Sequence, residues 1–117
     1  METGKTINLK DEATLKGEYE MLKKSHAKVD QIIVNLDGDD DTQICNIFVK
    51  YPTRQEYNNI MKMYNIEVIN AIEAWVKYCY IGGDPAEIVL SNDYALRSLD
   101  LAMSEILYVR QSLLKKN

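Results

Sequence analysis

The chain has 117 residues, of which 46% are apolar and 27% charged, with a formal net charge of −4. That length fits one domain that can bury a core without disulfide or metal staples. The acidic balance argues against duplex nucleic acid as the main partner, and no stretch approaches the ~20 apolar residues of a membrane-spanning helix.

The acidity is local. Asp37 and Asp39 to Asp41 match the whole excess of negative charge, and the Lys23–Lys24 and Lys115–Lys116 pairs are too short for nucleic-acid patches. The two cysteines, Cys45 and Cys79, are far apart in the chain, and His26 is the single histidine. Free buried thiols are expected rather than a disulfide. This suits a reducing compartment, and the polar run Met1 to Lys10 does not resemble a signal peptide. The expected setting is a cytosol, or a particle assembled in one.

Residues 1–10 lack a clear period and are expected to be a flexible N-terminus, with 11–117 forming a single domain. Asp11 sits at an N-cap with Glu12 in the first turn. Leu15, Tyr19 and Leu22 then share one face of a helix that runs to about Ser25. Lys28 to Leu36 changes to the alternation of a strand, with Ile32, Val34 and Leu36 on one side. After the Asp/Gly run, residues 43–51 form a second strand. Ile44, Phe48 and Lys50 point one way and Cys45, Ile47 and Val49 the other. The two strands, about 28–36 and 43–51, read as a β-hairpin. A lone hairpin is marginal in water, so this one must pack on helices, pair with a third strand or pair with another subunit.

Pro52 ends the second strand. Thr53 and Glu56 then make a T-x-x-E capping box. Tyr57, Met61, Tyr64, Val68, Ile72, Trp75 and Cys79 recur at helical spacing behind it. One helix over Arg54–Tyr80 would be ~40 Å long, so a break near Asn65 is expected, giving helices 54–64 and 66–80 with Asn65 capping the second. Gly82–Gly83 reads as the helix stop. Asp84-Pro85 opens a short turn or one-turn helix, with Asp84 as cap. Ser91-Asn92-Asp93 caps a last helix, 93–115, carrying Leu99, Ile106 and Leu113. The fold class is therefore α+β and mainly helical.

No motif points to catalysis. The Asp37–Asp41 run has D-x-D-x-D spacing, but Thr42 and Phe48 stand where a calcium loop needs Gly and Glu. An acidic hairpin turn is the better reading. Gly82-Gly83-Asp84 lacks the Lys-Ser/Thr of a phosphate loop. His26 has no local cysteine partner for nucleophilic chemistry. The aromatic set Tyr57, Tyr64, Trp75, Tyr78 and Tyr80 lacks interleaved basic residues and reads as core or protein interface. No cofactor, metal or small-molecule substrate is expected. Ile66, Ile69 and Val76 fall off the main apolar stripe. With Tyr80 they form the candidate protein-binding face.

Lys50-x-Pro52-x-Arg54, and the later Cys79-Tyr80-x-Gly82-Gly83-Asp84, resemble a family of small proteins of tailed bacteriophages and prophages of gut Bacteroidetes. Its members look like tail assembly chaperones. Tyr80 stands where that family has Trp, and Trp75 lies a turn earlier. The resemblance spans most of residues 15–116. It implies a non-catalytic protein in the bacterial host cytoplasm that covers the apolar helical surface of a tape-measure-like structural protein, or self-associates. The alternatives are a small virion structural or cargo protein and an inhibitor of a host defence protein.

Overall fold

The computed structural model describes residues 9–36 and 44–109. In chain order these form α1 (Glu12–Ser25), β1 (Val29–Asn35), β2 (Ile44–Lys50), α2 (Arg54–Tyr64), α3 (Val68–Cys79), β3 (Tyr80–Gly83), α4 (Ala86–Leu90) and α5 (Asp93–Ser104), closed by a π-helical turn (Glu105–Val109). The Asp37–Asp41 run lies outside the described residues. So do residues 1–8 of the expected flexible N-terminus and the last part of the expected 93–115 helix.

The local chemistry of the starts is as the sequence predicts. Asp11 caps α1 through its carboxylate, which accepts from Thr14 N at 2.8 Å. The box at α2 is complete: Thr53 Oγ1 accepts from Glu56 N at 3.2 Å, and Glu56 Oε1 accepts from Thr53 N at 3.0 Å. Asn92 caps α5 by accepting from Ala95 N at 2.9 Å. Each such cap satisfies an amide that the first helical turn leaves without an internal partner.

β1 and β2 form a regular antiparallel pair, with Ile32 opposite Ile47 and Gln31 opposite Phe48. Alternation divides their side chains between two layers. Ile32, Val34, Cys45, Ile47 and Val49 join α2, α3, α4 and α5 in the main core, centred on the fully buried Trp75. Val29 and Phe48 face the other way and pack under Leu15, Tyr19 and Leu22 of α1. The Tyr19 and Phe48 ring centroids are 5.5 Å apart. The sheet is therefore sandwiched between one helix and a helical layer.

The chain departs from its local reading in three places. First, Asn65 ends α2 instead of starting α3. It is helical, and the amides of Ile66 and Glu67 both turn back to Met63 O, at 2.9 and 2.7 Å. Glu67 is then the extended N-cap residue of α3. Second, Gly82–Gly83 is no helix stop. α3 ends at Cys79, Tyr80 is already extended, and the glycines lie in β3, antiparallel to β2. The sheet order is β1-β2-β3, so the hairpin's need for a third strand is met within the chain. Third, Asp84 does not cap α4. Pro85 holds that position, with no side-chain cap.

The glycines are there for close approach. A Cβ on Gly82 would sit 2.9 Å from Leu22 Cδ1 and would also press on the Glu18 carboxylate. A Cβ on Gly83, whose φ is +95°, would meet Asn46 O and lie 2.9 Å from Ile47 Cα. Gly17, on α1, has nothing within 4 Å of its would-be Cβ. Gly83→Ala should therefore lower unfolding free energy by about 2 kcal/mol or more, because both steric clash and a left-handed φ oppose it. Gly17→Ala should raise it by roughly 0.5–1 kcal/mol through helix propensity. Urea denaturation followed by the fluorescence of buried Trp75 measures both.

Candidate protein-binding site

α2 and α3 are consecutive helices joined by a tight turn, and they pack on each other along their lengths. α3 turns Ala71, Ile72, Trp75, Val76 and Cys79 into the core. Its opposite stripe is Asn70, Glu73, Ala74, Lys77 and Tyr78, spaced at three and four residues. With Met63 of α2 this stripe lines an open groove of about 390 Å³. Ala74 contributes a small side chain to this lining between larger neighbours. Tyr78 forms a fixed wall because its hydroxyl accepts from Asn59 Nδ2 at 3.1 Å. Glu73 and Lys77, one turn apart, place charge of both signs at the groove.

Three of the exposed apolar side chains lie around the α2–α3 turn. Ile66 is 86% exposed, Met63 39% and Val68 38%. Of the four candidate face residues, Ile66 alone is fully presented to solvent. Ile69 is half-buried against the core. Val76 is wholly buried and cannot contact a partner while this fold is intact. Tyr80 is half-buried, and its hydroxyl donates to Asp84 O at 2.9 Å. The four do not form one face. Met63, Ala74 and Tyr78 line the groove instead. Tyr78 belongs to the aromatic set that reads as core or interface, whereas Ala74 carries no sequence signal, because an alanine at helical spacing looks like core filler. The signal available was Glu73 and Lys77, which mark the wet side of α3.

The residues that carry the phage-family resemblance have structural placements here. Lys50 Nζ pairs with Glu56 Oε1 at 3.3 Å, and Pro52 is buried. Asp84 is fully buried; its two oxygens accept from Lys10 N and Asn46 N, each at 2.7 Å, and its own amide donates to Asn46 O at 2.7 Å. Glu18 is a second tie: it accepts from Gly83 N at 3.0 Å and pairs with Lys10 Nζ at 3.0 Å. The aromatic set is split. Trp75 is central, whereas Tyr57, Tyr64, Tyr78 and Tyr80 pack partly buried around it.

Cys45 and Cys79 are both buried free thiols. Burial pushes Cys45 up to about 12 from 9.0, with the charge and hydrogen bonding of Asp84 adding to it. Burial likewise pushes Cys79 to about 12, while Lys50 opposes the shift. Neither is a nucleophile near neutral pH. Among the described residues, no group of three or more His, Cys, Asp or Glu side chains could hold a metal ion, and no helix is long and apolar enough to cross a membrane.

The site and fold together define a mainly helical α+β domain with an apolar interhelical groove. No protein-family model matches the chain, and searches of curated proteins and of solved structures gave no significant match.

Native protein at pH 8 should resist iodoacetamide at both cysteines and react only after unfolding, as mass spectrometry will show. The unfolded thiols lose protons near their ordinary 9.0, whereas the folded ones hold them to about 12. Stability is therefore full below about pH 9 and falls as pH rises toward 12, and Cys79→Ala should flatten that fall. In addition, Asp84→Ala should cost about 3 kcal/mol by stranding two buried amides, and Asp84→Asn less, because one oxygen remains to accept.

Proposed function

We propose that this protein is a non-catalytic binding protein of the tail-assembly-chaperone kind, covering apolar helical surface on a phage structural protein before it assembles. The observation that carries this reading is the groove between α2 and α3, with exposed Met63, Ile66 and Val68 at its end. Its occupant is an amphipathic helix, as a tape-measure protein would supply. Such a helix would lay its apolar stripe on Met63, Ala74 and Tyr78 and set its flanking charges against Glu73 and Lys77. The family resemblance points the same way. Its motif residues build the scaffold, and the proposed contact surface lies beside them.

The test is co-expression with the tape-measure protein of the same phage or prophage. The two should co-purify. Met63→Asp and Ile66→Asp should each weaken capture by about tenfold or more, which is ~1.4 kcal/mol, because both put a charge into an apolar contact. Both positions are exposed, so the thermal midpoint should barely move. A protein that captures no tape-measure chain at roughly tens of micromolar, in wild-type form, rules the reading out.

A further inference from the structure

We propose that two copies of this chain pair through the outer stripe of α5, antiparallel about a two-fold axis at Leu101. α5 buries Ala95, Leu96, Leu99 and Met103. Its opposite side carries Tyr94, Arg97, Ser98, Leu101 and Glu105, which recur every three or four residues and are all exposed. Glu105 opens the π-helical turn but keeps helical dihedrals, φ −62° and ψ −43°, so the stripe runs on through it.

The side of a surface helix that faces away from the core is ordinarily polar. Here its middle line is apolar. Leu101 is 69% exposed and Tyr94 48%. They stand two turns apart on one line, across the helix from the buried residues. A cation and a carboxylate, Arg97 and Glu105, flank Leu101 along the axis.

Charge and register select the occupant. Leu101 stands midway between Arg97 and Glu105, four residues from each. An antiparallel copy centred on Leu101 sets its Glu105 against Arg97 and its Arg97 against Glu105, with the two Leu101 side chains between them. Parallel packing would instead put Arg97 on Arg97 and Glu105 on Glu105. Arg97 Nε donates to Asp93 O at 3.5 Å, and among the described residues no partner holds the terminal nitrogens of its guanidinium. The other carboxylates of α5 stay clear of the pairing. Asp100 accepts from the Tyr64 hydroxyl at 3.2 Å, and Asp93 lies beyond both ion pairs in this register. A single helix stripe buries less than the ~1,000 Å² of a stable interface, so the dimer is weak and forms at about tens to hundreds of micromolar. This inference stands on α5 and does not depend on the α2–α3 groove.

Sedimentation velocity of the full chain, up to about 1 mM, measures the association. Wild type should pass from monomer to dimer. Arg97→Glu and Glu105→Arg should each weaken it by at least about tenfold, because each variant meets its own copy with like charges at both ion pairs. Mixed one to one, the two variants should pair about as well as wild type, since every contact again joins opposite charges. Leu101→Lys puts two cations on the axis and should abolish the dimer, while its thermal midpoint barely moves because the position is exposed. Leu101→Cys should cross-link two copies under mild oxidation, with Cys45 and Cys79 buried and inert. Met63→Asp, in the groove, should leave the dimer unchanged. A chain that stays monomeric at about 1 mM, single charge variants that associate like wild type, a mixture that fails to pair, or a dimer lost with Met63→Asp overturns the proposal.

Discussion

Asp84 is a carboxylate with no exposure to solvent, and a buried charge is costly unless hydrogen bonds replace its water. Here the replacement comes from the backbone of distant segments. Lys10 N approaches from before α1, and Asn46 N from the middle of β2. The backbone of Asp84 continues the same contact by donating to Asn46 O, and its carbonyl accepts from Tyr80. One residue thus holds the start of the chain, the central strand and the end of β3 at a single point. The two glycines before it let β3 come this close. With side chains there, Leu22 and Glu18 on one side and Asn46 and Ile47 on the other would be pushed away.

That clamp sets what the rest of the molecule can expose. β3 fills the edge of β2 that the hairpin leaves open, so β2 becomes the central strand. Because α3 runs straight from Cys79 into Tyr80 with no loop, its rotation about its own axis is fixed by the sheet. Trp75, Val76 and Cys79 must then face inward, and Ala74, Lys77 and Tyr78 outward. The position of the groove beside α2 follows from that rotation.

Much of the scaffold was legible because it is local. The T-x-x-E box, Asp11 and Asn92 act on amides two or three residues away, so their partners are in view in the sequence. The alternation of β1 and β2 separated the main core from the layer under α1 for the same reason. The binding surface was harder to read. Ile66, Ile69 and Val76 read as one off-stripe face of the expected helix 66–80. The turn runs on through Glu67 and leaves Ile66 outside both helices, while the core-facing stripe of α3 is wide enough to bury Val76 beside Ile72 and Trp75. Val68, placed on the core stripe by spacing, opens α3 beside that turn and is partly exposed. Gly-Gly-Asp reads as helix-terminating chemistry, because glycine before a capping aspartate looks the same whether it stops a helix or lets two strands touch.

The sequence by itself determined the α+β class, the order of the helices and of the hairpin strands, and most helix starts, since each rests on side chains acting on their own neighbours in the chain. It also placed Trp75 on an apolar stripe at helical spacing, which must be buried in a core or an interface. Only the tertiary structure decided that Gly82–Gly83 is a strand, that Asp84 is a buried clamp and that Val76 is core while Ala74 is surface. Those outcomes depend on contacts spanning from 38 to 74 residues, such as Asn46 and Lys10 with Asp84. Local propensity carries no information at that range, and the requirement to satisfy a buried carboxylate does.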